Sequence, residues 1–419
     1  MTSFGNSRAL TLTLLFFGSS MSLAAGSQRV AFVTSAAGGG DLSKWPDAKG
    51  QVGLAAADII CEERAAAAGL ANPQNFVAWL SDPDHDAYCR VHNLTGKKAN
   101  NCRQSQLPAA AGPWVRTTGF PFSDAITLLT TSGVVYAPLR YDEFGDPIPD
   151  GPGSQMFTAT APDGTLTGAG SCAKWSSDSD LIEATVGNID ATTQGWTTGG
   201  SLPCAGPARL ICVETFDGPP LPDFAQSGRR AFVTSATGSG DLASWPEADP
   251  GASGIEAGDS ICRNLALLAG FEEAATFKAW LSDTLVAAPD RFVHDGRWVR
   301  PDGVIPAAGI ADLTDGLLFT SINVTEQGNY LGNHGVWTGT EDSGLPRPDH
   351  CSDWTDGTAK VSGAFGVAYL TRFGWSWLLP RLPCDFDSFR LYCLSDAETT
   401  IFADGFESGD TSAWSTTVP

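Results

Sequence analysis

Apolar residues recur along this chain with two different periods, and the switches between them mark out its elements. Val30 to Ser35 and Ala231 to Ser235 read as strands, each running into a glycine-rich turn at Gly38-Gly39-Gly40 or Gly238-Ser239-Gly240. A 3.6-residue period follows. Leu54, Cys61, Ala65 and Ala68 fall on one face, and Gly69 supplies a C-terminal stop. Ile255, Cys262, Ala266, Ala269 and Gly270 repeat that spacing, so a cysteine sits on the buried side of a helix in both stretches. The segment Phe76 to Asp82, entered through Asn72-Pro73, predicts a second short helix with proline at its favoured first position. Short strands between long loops rich in Gly, Pro and Asp come next. Two helices followed by a strand-and-loop half predict an α+β unit, with most of the 13 tryptophans in its core.

The whole pattern occurs twice. Arg29 to Ala36 returns as Arg229 to Ala236, Asp41 to Pro46 as Asp241 to Pro246, and Phe76 to Asp82 as Phe277 to Asp283. Trp114-Val115-Arg116 returns as Trp298-Val299-Arg300, and Arg209-Leu210-Ile211-Cys212 as Arg390-Leu391-Tyr392-Cys393. A period of about 200 residues is too long for a solenoid and suits duplicated whole domains. The expected organisation is a first domain over 29–216, a Pro-stiffened linker over 217–228, a second domain over 229–396 and a tail over 397–419.

Residues 1–25 read as a secretory signal peptide: Arg8, an apolar run from Ala9 to Gly18, then Ser22-Leu23-Ala24 before cleavage. The apolar run falls short of the roughly 20 residues of a spanning helix, and no cysteine follows it for a lipid anchor. Ten cysteines in an exported chain predict disulfides before metal ligands or nucleophiles. Aligning the copies matches Cys61 with Cys262, Cys172 with Cys351, Cys204 with Cys384 and Cys212 with Cys393. Cys89 and Cys102 stand in a segment the second copy lacks and most simply pair with each other. For the four matched cysteines of each copy, spacing leaves three pairings open. A net charge of −22 argues against nucleic acid or an anionic membrane as partner.

The early helix cysteine, Cys-x-x-Trp (Cys172 to Trp175, Cys351 to Trp354), a Gly-Trp (Gly195-Trp196, Gly374-Trp375) and the closing Arg-Leu-x-Cys strand resemble the C-type-lectin-like fold. The Ala-Phe-Val-Thr-Ser opening and the Phe-x-Ala-Trp-Leu-Ser-Asp segment resemble the bacterial endostatin-like domains within it. The resemblance covers about residues 29–214 and 229–395. It implies nested bridges, Cys61–Cys212 around Cys172–Cys204 and Cys262–Cys393 around Cys351–Cys384. It also implies a binding module of adhesion or recognition rather than a catalyst. Ala161-Pro162-Asp163 and Arg347-Pro348-Asp349 lack the first ligand of the calcium-binding triplets of lectins, and Trp-Asn-Asp is missing. No histidine precedes His85, so the zinc site of collagen endostatin does not carry over. No cofactor is expected, and calcium has no support.

Catalytic motifs are lacking: there is no Gly-x-Ser-x-Gly, His-Glu-x-x-His or P-loop. His92 and His294 align between the copies and read as structural. Cys89, His85, His92 and Cys102 suit a bridge better than zinc in an exported chain. The acidic loop Tyr141 to Asp150 reads as a solvated turn rather than a calcium site. The first copy's insert carries a cationic cluster, Lys97, Lys98 and Arg103, a candidate foothold for an acidic ligand on a pre-organised loop. The leading expectation is a secreted or bacterial cell-surface binding protein for an extracellular protein or glycan. The alternatives are a structural envelope protein without a specific ligand and, third, an exported hydrolase.

Overall fold

The computed structural model describes residues 28–168 and 170–397; the expected signal peptide at 1–25 and the expected tail from residue 398 onward lie outside the described residues. The first copy carries β1 (Arg29–Val33), β2 (Phe76–Ala78), β3 (Trp114–Arg116), β4 (Pro121–Ser123), β5 (Gln155–Phe157), β6 (Glu183–Asn188), β7 (Gly200–Pro203) and β8 (Arg209–Glu214). The second carries β9 (Arg229–Val233), β10 (Phe277–Ala279), β11 (Trp298–Val299), β12 (Gly335–Trp337), β13 (Ser362–Gly363), β14 (Phe365–Val367), β15 (Leu382–Pro383) and β16 (Arg390–Ser395). Each copy builds its own sheet around its last strand. β8 runs antiparallel to β1 on one edge, and its other edge is shared by β2 and β5. β16 repeats this with β9 on one edge and β10 and β12 on the other. The chain is α+β, as expected.

All six residues of β8 are buried, including its two charged ends. Arg209 donates to Gly153 O and Thr34 O, each at 2.7 Å, and Glu214 accepts from Arg29 Nη1 at 2.7 Å. A charged residue is tolerated at this depth because its polar atoms are partnered.

The periodic helices form as read, at Gly53–Ala67 and Gly254–Leu268. Each turns a cysteine to the sheet, and the bridges Cys61–Cys212 and Cys262–Cys393 tie helix to central strand. Cys172–Cys204, Cys351–Cys384 and Cys89–Cys102 complete five disulfides. Gly69, at φ +69°, ends the first helix.

The second expected helix is not one. Pro73–Asn75 makes a single 3₁₀ turn, after which Phe76–Ala78 is strand β2, as Phe277–Ala279 is β10. Phe76 and Ala78 are buried while Val77 between them is half-buried, a two-residue alternation that the vacant edge of β8 selects. Asp58 on the first helix accepts from Ala78 N at 3.0 Å, and buried Arg90 donates to Ala78 O at 2.7 Å and to Asp58. Asp259 and Arg291 repeat the clamp on Ala279.

Each Cys-x-x-Trp is a left-handed turn. All four residues have positive φ, 47–64° in Cys172–Trp175 and 52–64° in Cys351–Trp354. Such backbone costs roughly 1–2 kcal/mol per non-glycine residue. Contacts at both ends hold it: the cysteine is bridged, and Trp175 and Trp354 donate to Ser81 O and Ser282 O at 3.0 and 2.8 Å.

Candidate functional site

The insert of the first copy closes through Cys89–Cys102, but its cations do not form an open patch. Lys97 Nζ donates to Asp82 O at 2.6 Å and pairs with Asp86 at 3.0 Å. Lys98 Nζ donates to Asp163 O at 2.7 Å and lies 4.4 Å from the Tyr88 ring centre, with burial holding its pKa below the usual lysine value. Only Arg103 is exposed. Two of the three expected ligand-binding cations therefore fasten the insert to its own copy, because the nearest acceptors are intramolecular.

The remaining sequence candidates are structural. His92 Nδ1 lies 2.8 Å from Tyr88 O, and burial lowers its pKa; His294 Nδ1 lies 2.8 Å from Asp396 O. Among the described residues, no three His, Cys, Asp or Glu side chains are grouped as a metal would require. The acidic loop is not wholly solvated. Asp142 caps its own turn, accepting from Phe144 N and Asp146 N at 2.9 Å, and buried Glu143 accepts from Ser35 N at 2.8 Å. Glu326 does the same for Ser235 N at 3.0 Å. A carboxylate that anchors the end of the first strand looks, in sequence, like any loop acid.

The feature that sequence reading missed lies between the copies. Asp190-Ala191-Thr192 and Tyr369-Leu370-Thr371 stand at matching distances before the two Gly-Trp pairs, and they pack against each other. Thr192 N donates to Tyr369 O and Thr371 N to Asp190 O, both at 2.9 Å. Reciprocal bonds between equivalent residues are the signature of a two-fold contact, here made within one chain. Thr192 Oγ1 lies 2.6 Å from Ser321 Oγ, and Thr320 Oγ1 donates to Tyr136 O at 2.7 Å, so buried hydroxyls line the seam. The matched distance from each Gly-Trp was the one sequence signal for this pairing.

Arg300 closes the seam from the second copy. It is fully buried and bonded to Asp302 at 2.5 Å, Asn323 Oδ1 at 2.8 Å and Ser321 O at 3.0 Å. Burial works against its charge, but Asp302 outweighs it and the pKa is raised. Arg116 occupies the matching Trp-Val-Arg position in the first copy, where Thr118 stands in place of Asp302. Among the described residues it has no carboxylate partner: Nη1 donates to Pro138 O at 3.2 Å, Nε is buried unpaired, and the rings of Phe120 and Tyr141 flank it. Burial pulls its pKa down to about 10.

Two clefts flank the seam, related by the same two-fold. The larger, of about 390 Å³, runs between Gly151–Gln155, Asn188 and Asp190 of the first copy and Leu370, Arg372 and Phe373 of the second. Arg372 pairs across the copies with Asp150 at 2.5 Å, and Arg140 pairs with Asp190. Burial raises the Asp190 pKa, with Arg140 and Arg372 opposing. Phe373 is 72% exposed, and the Arg372 guanidinium lies 5.3 Å from its ring centre. The smaller cleft, about 180 Å³, has Thr193 and Gln194 where the larger has Arg372 and Phe373. Gln194 partly fills it, lying so close to Gly332 that a Cβ there would be 1.7 Å from Oε1. No protein-family model matches the chain, and a search of curated proteins finds no match.

Proposed function

We propose that this chain is an exported, non-catalytic recognition protein of the extracellular space or the bacterial surface. Its two copies are tandem endostatin-like domains of the C-type-lectin-like fold, and they take an extracellular protein or glycan ligand between them. The observation that carries this reading is the larger cleft. It is concave, built by both copies, and combines a few convergent polar groups with an exposed aromatic ring, the make-up of a small-ligand site. Five disulfides suit an oxidising compartment, and among the described residues no helix is long and apolar enough to cross a membrane. Nested bridges in each copy and the antiparallel pairing of first and last strands support the lectin-like assignment. The test is a glycan and matrix-protein array probed with the purified, oxidised chain, alongside a hydrolase panel. Saturable binding without turnover is the expected result. Turnover of a panel substrate, or silence on every array feature, overturns the proposal.

A further inference from the structure

We infer that the larger cleft holds an uncharged glycan and that it does so without calcium, an inference that rests on the recognition role proposed above. The first argument is charge. On a chain of net charge −22, the cleft wall carries two carboxylates, and each is paired: Asp150 with Arg372 of the wall, and Asp190 with buried Arg140, which is outside the lining. The site is therefore locally neutral. An acidic ligand would have to take Arg372 from Asp150 and then face Asp190 and the field of the whole chain. A cationic one would have to displace Arg372 itself. A neutral, hydroxyl-rich ligand disturbs neither pair, since a paired carboxylate keeps lone pairs free and a guanidinium keeps N–H groups free. The amides of Asn188 and Gln155 add donors and acceptors of the same neutral kind.

The second argument is the ring. Phe373 lines the cleft with most of its surface in water, so its ring is available to a ligand there. The Arg372 guanidinium lies 5.3 Å from its ring centre and is itself tied to the other copy by Asp150. An apolar ring beside fixed hydrogen-bonding groups matches a sugar, which presents a C–H face and a rim of hydroxyls. The third argument is the internal comparison: across the two-fold, Thr193 and Gln194 stand in place of Arg372 and Phe373, the one ring on the wall is half-buried Tyr330, and the space is halved. The two clefts are therefore not equivalent, and the larger one is built by both copies.

The experiment is isothermal titration of the full, oxidised chain with two neutral polysaccharides, a mannan and a soluble β-glucan, and with polygalacturonate as the acidic arm. Each titration is run with EDTA and, in parallel, with added calcium chloride, and at low and at high salt. The expected result is one site per chain for a neutral polysaccharide, little changed by salt. Phe373→Ala should weaken it roughly tenfold or more, as for other exposed aromatic anchors. Phe373→Trp should restore it, and Gln194→Ala in the smaller cleft should leave it unchanged. Preference for polygalacturonate, a calcium requirement, or neutral-glycan binding indifferent to Phe373→Ala each overturns the inference. Binding of a matrix protein but of no glycan overturns it while leaving the recognition role intact; binding of neither class defeats both.

Discussion

Arg116 and Arg300 occupy the same position in the two copies, yet replacing them by methionine should change stability in opposite directions. Burial lowers the folded-state pKa of Arg116 from the ordinary arginine value to about 10, which at neutral pH corresponds to about 3 kcal/mol of stability lost to burying the charge. A base with a lowered folded-state pKa contributes unfavourably below that value, and the deficit is relieved as pH rises from about 10 towards the ordinary arginine value. Methionine keeps the length, removes the charge and gives up the Pro138 O bond and the ring contacts, so Arg116→Met should be neutral or stabilising by about 1–2 kcal/mol. Arg300→Met strips half-buried Asp302 of its fully buried cation and Asn323 of a donor, a loss of about 3 kcal/mol for breaking the pair on one side. At roughly 2–4 °C per kcal/mol for a unit of this size, the second-copy transition should drop by about 10 °C. Scanning calorimetry of the oxidised full-length chain reads both variants, and Thr118→Asp should raise the first-copy transition by restoring the missing carboxylate. Equal destabilisation by Arg116→Met and Arg300→Met would refute the reasoning, because it would mean that Arg116 has a compensating partner.

The outer bridge of the first copy spans 151 residues and the insert bridge 13, for which the chain-entropy relation gives about 5 and about 3 kcal/mol as upper figures. Paired alanine replacements of Cys61 and Cys212 should therefore prevent stable folding of that copy, whereas those of Cys89 and Cys102 should leave it folded with a lower denaturation midpoint. Exposed Ala173 sits in the left-handed turn at φ 52°, so Ala173→Gly should stabilise by about 0.5–1 kcal/mol after the entropy of the unfolded chain is counted; a lower midpoint in guanidinium would count against strain there. Burial lowers the His92 pKa, so its contribution is fully present above 6.5 and is lost as pH falls through the folded-state value. Denaturation midpoints measured from pH 7.5 to 5 should fall less steeply in His92→Leu than in the native chain.

Local pattern determined much of this protein. The 3.6-residue period fixed both long helices and turned Cys61 and Cys262 inward, and the matched cysteines announced two equivalent units. Where a segment is short, local pattern was not enough. Phe76 to Ala78 is three residues long, too few to separate a helical period from a strand, and only the open edge of β8, more than 130 residues later, made it a strand. The same limit hid the roles of the charges. Lys97 and Lys98 read as free cations and Glu143 as a solvated acid because a sequence does not show which acceptor or hydroxyl the fold brings within hydrogen-bond reach. The seam and its cleft lay furthest from view. Asp150 and Arg372 sit in different copies with no shared motif, and their pairing depends on how two finished sheets pack. Side-chain periodicity is a property of one segment and is written in the chain; an ion pair across a two-fold is a property of two surfaces, and it exists only once both have folded.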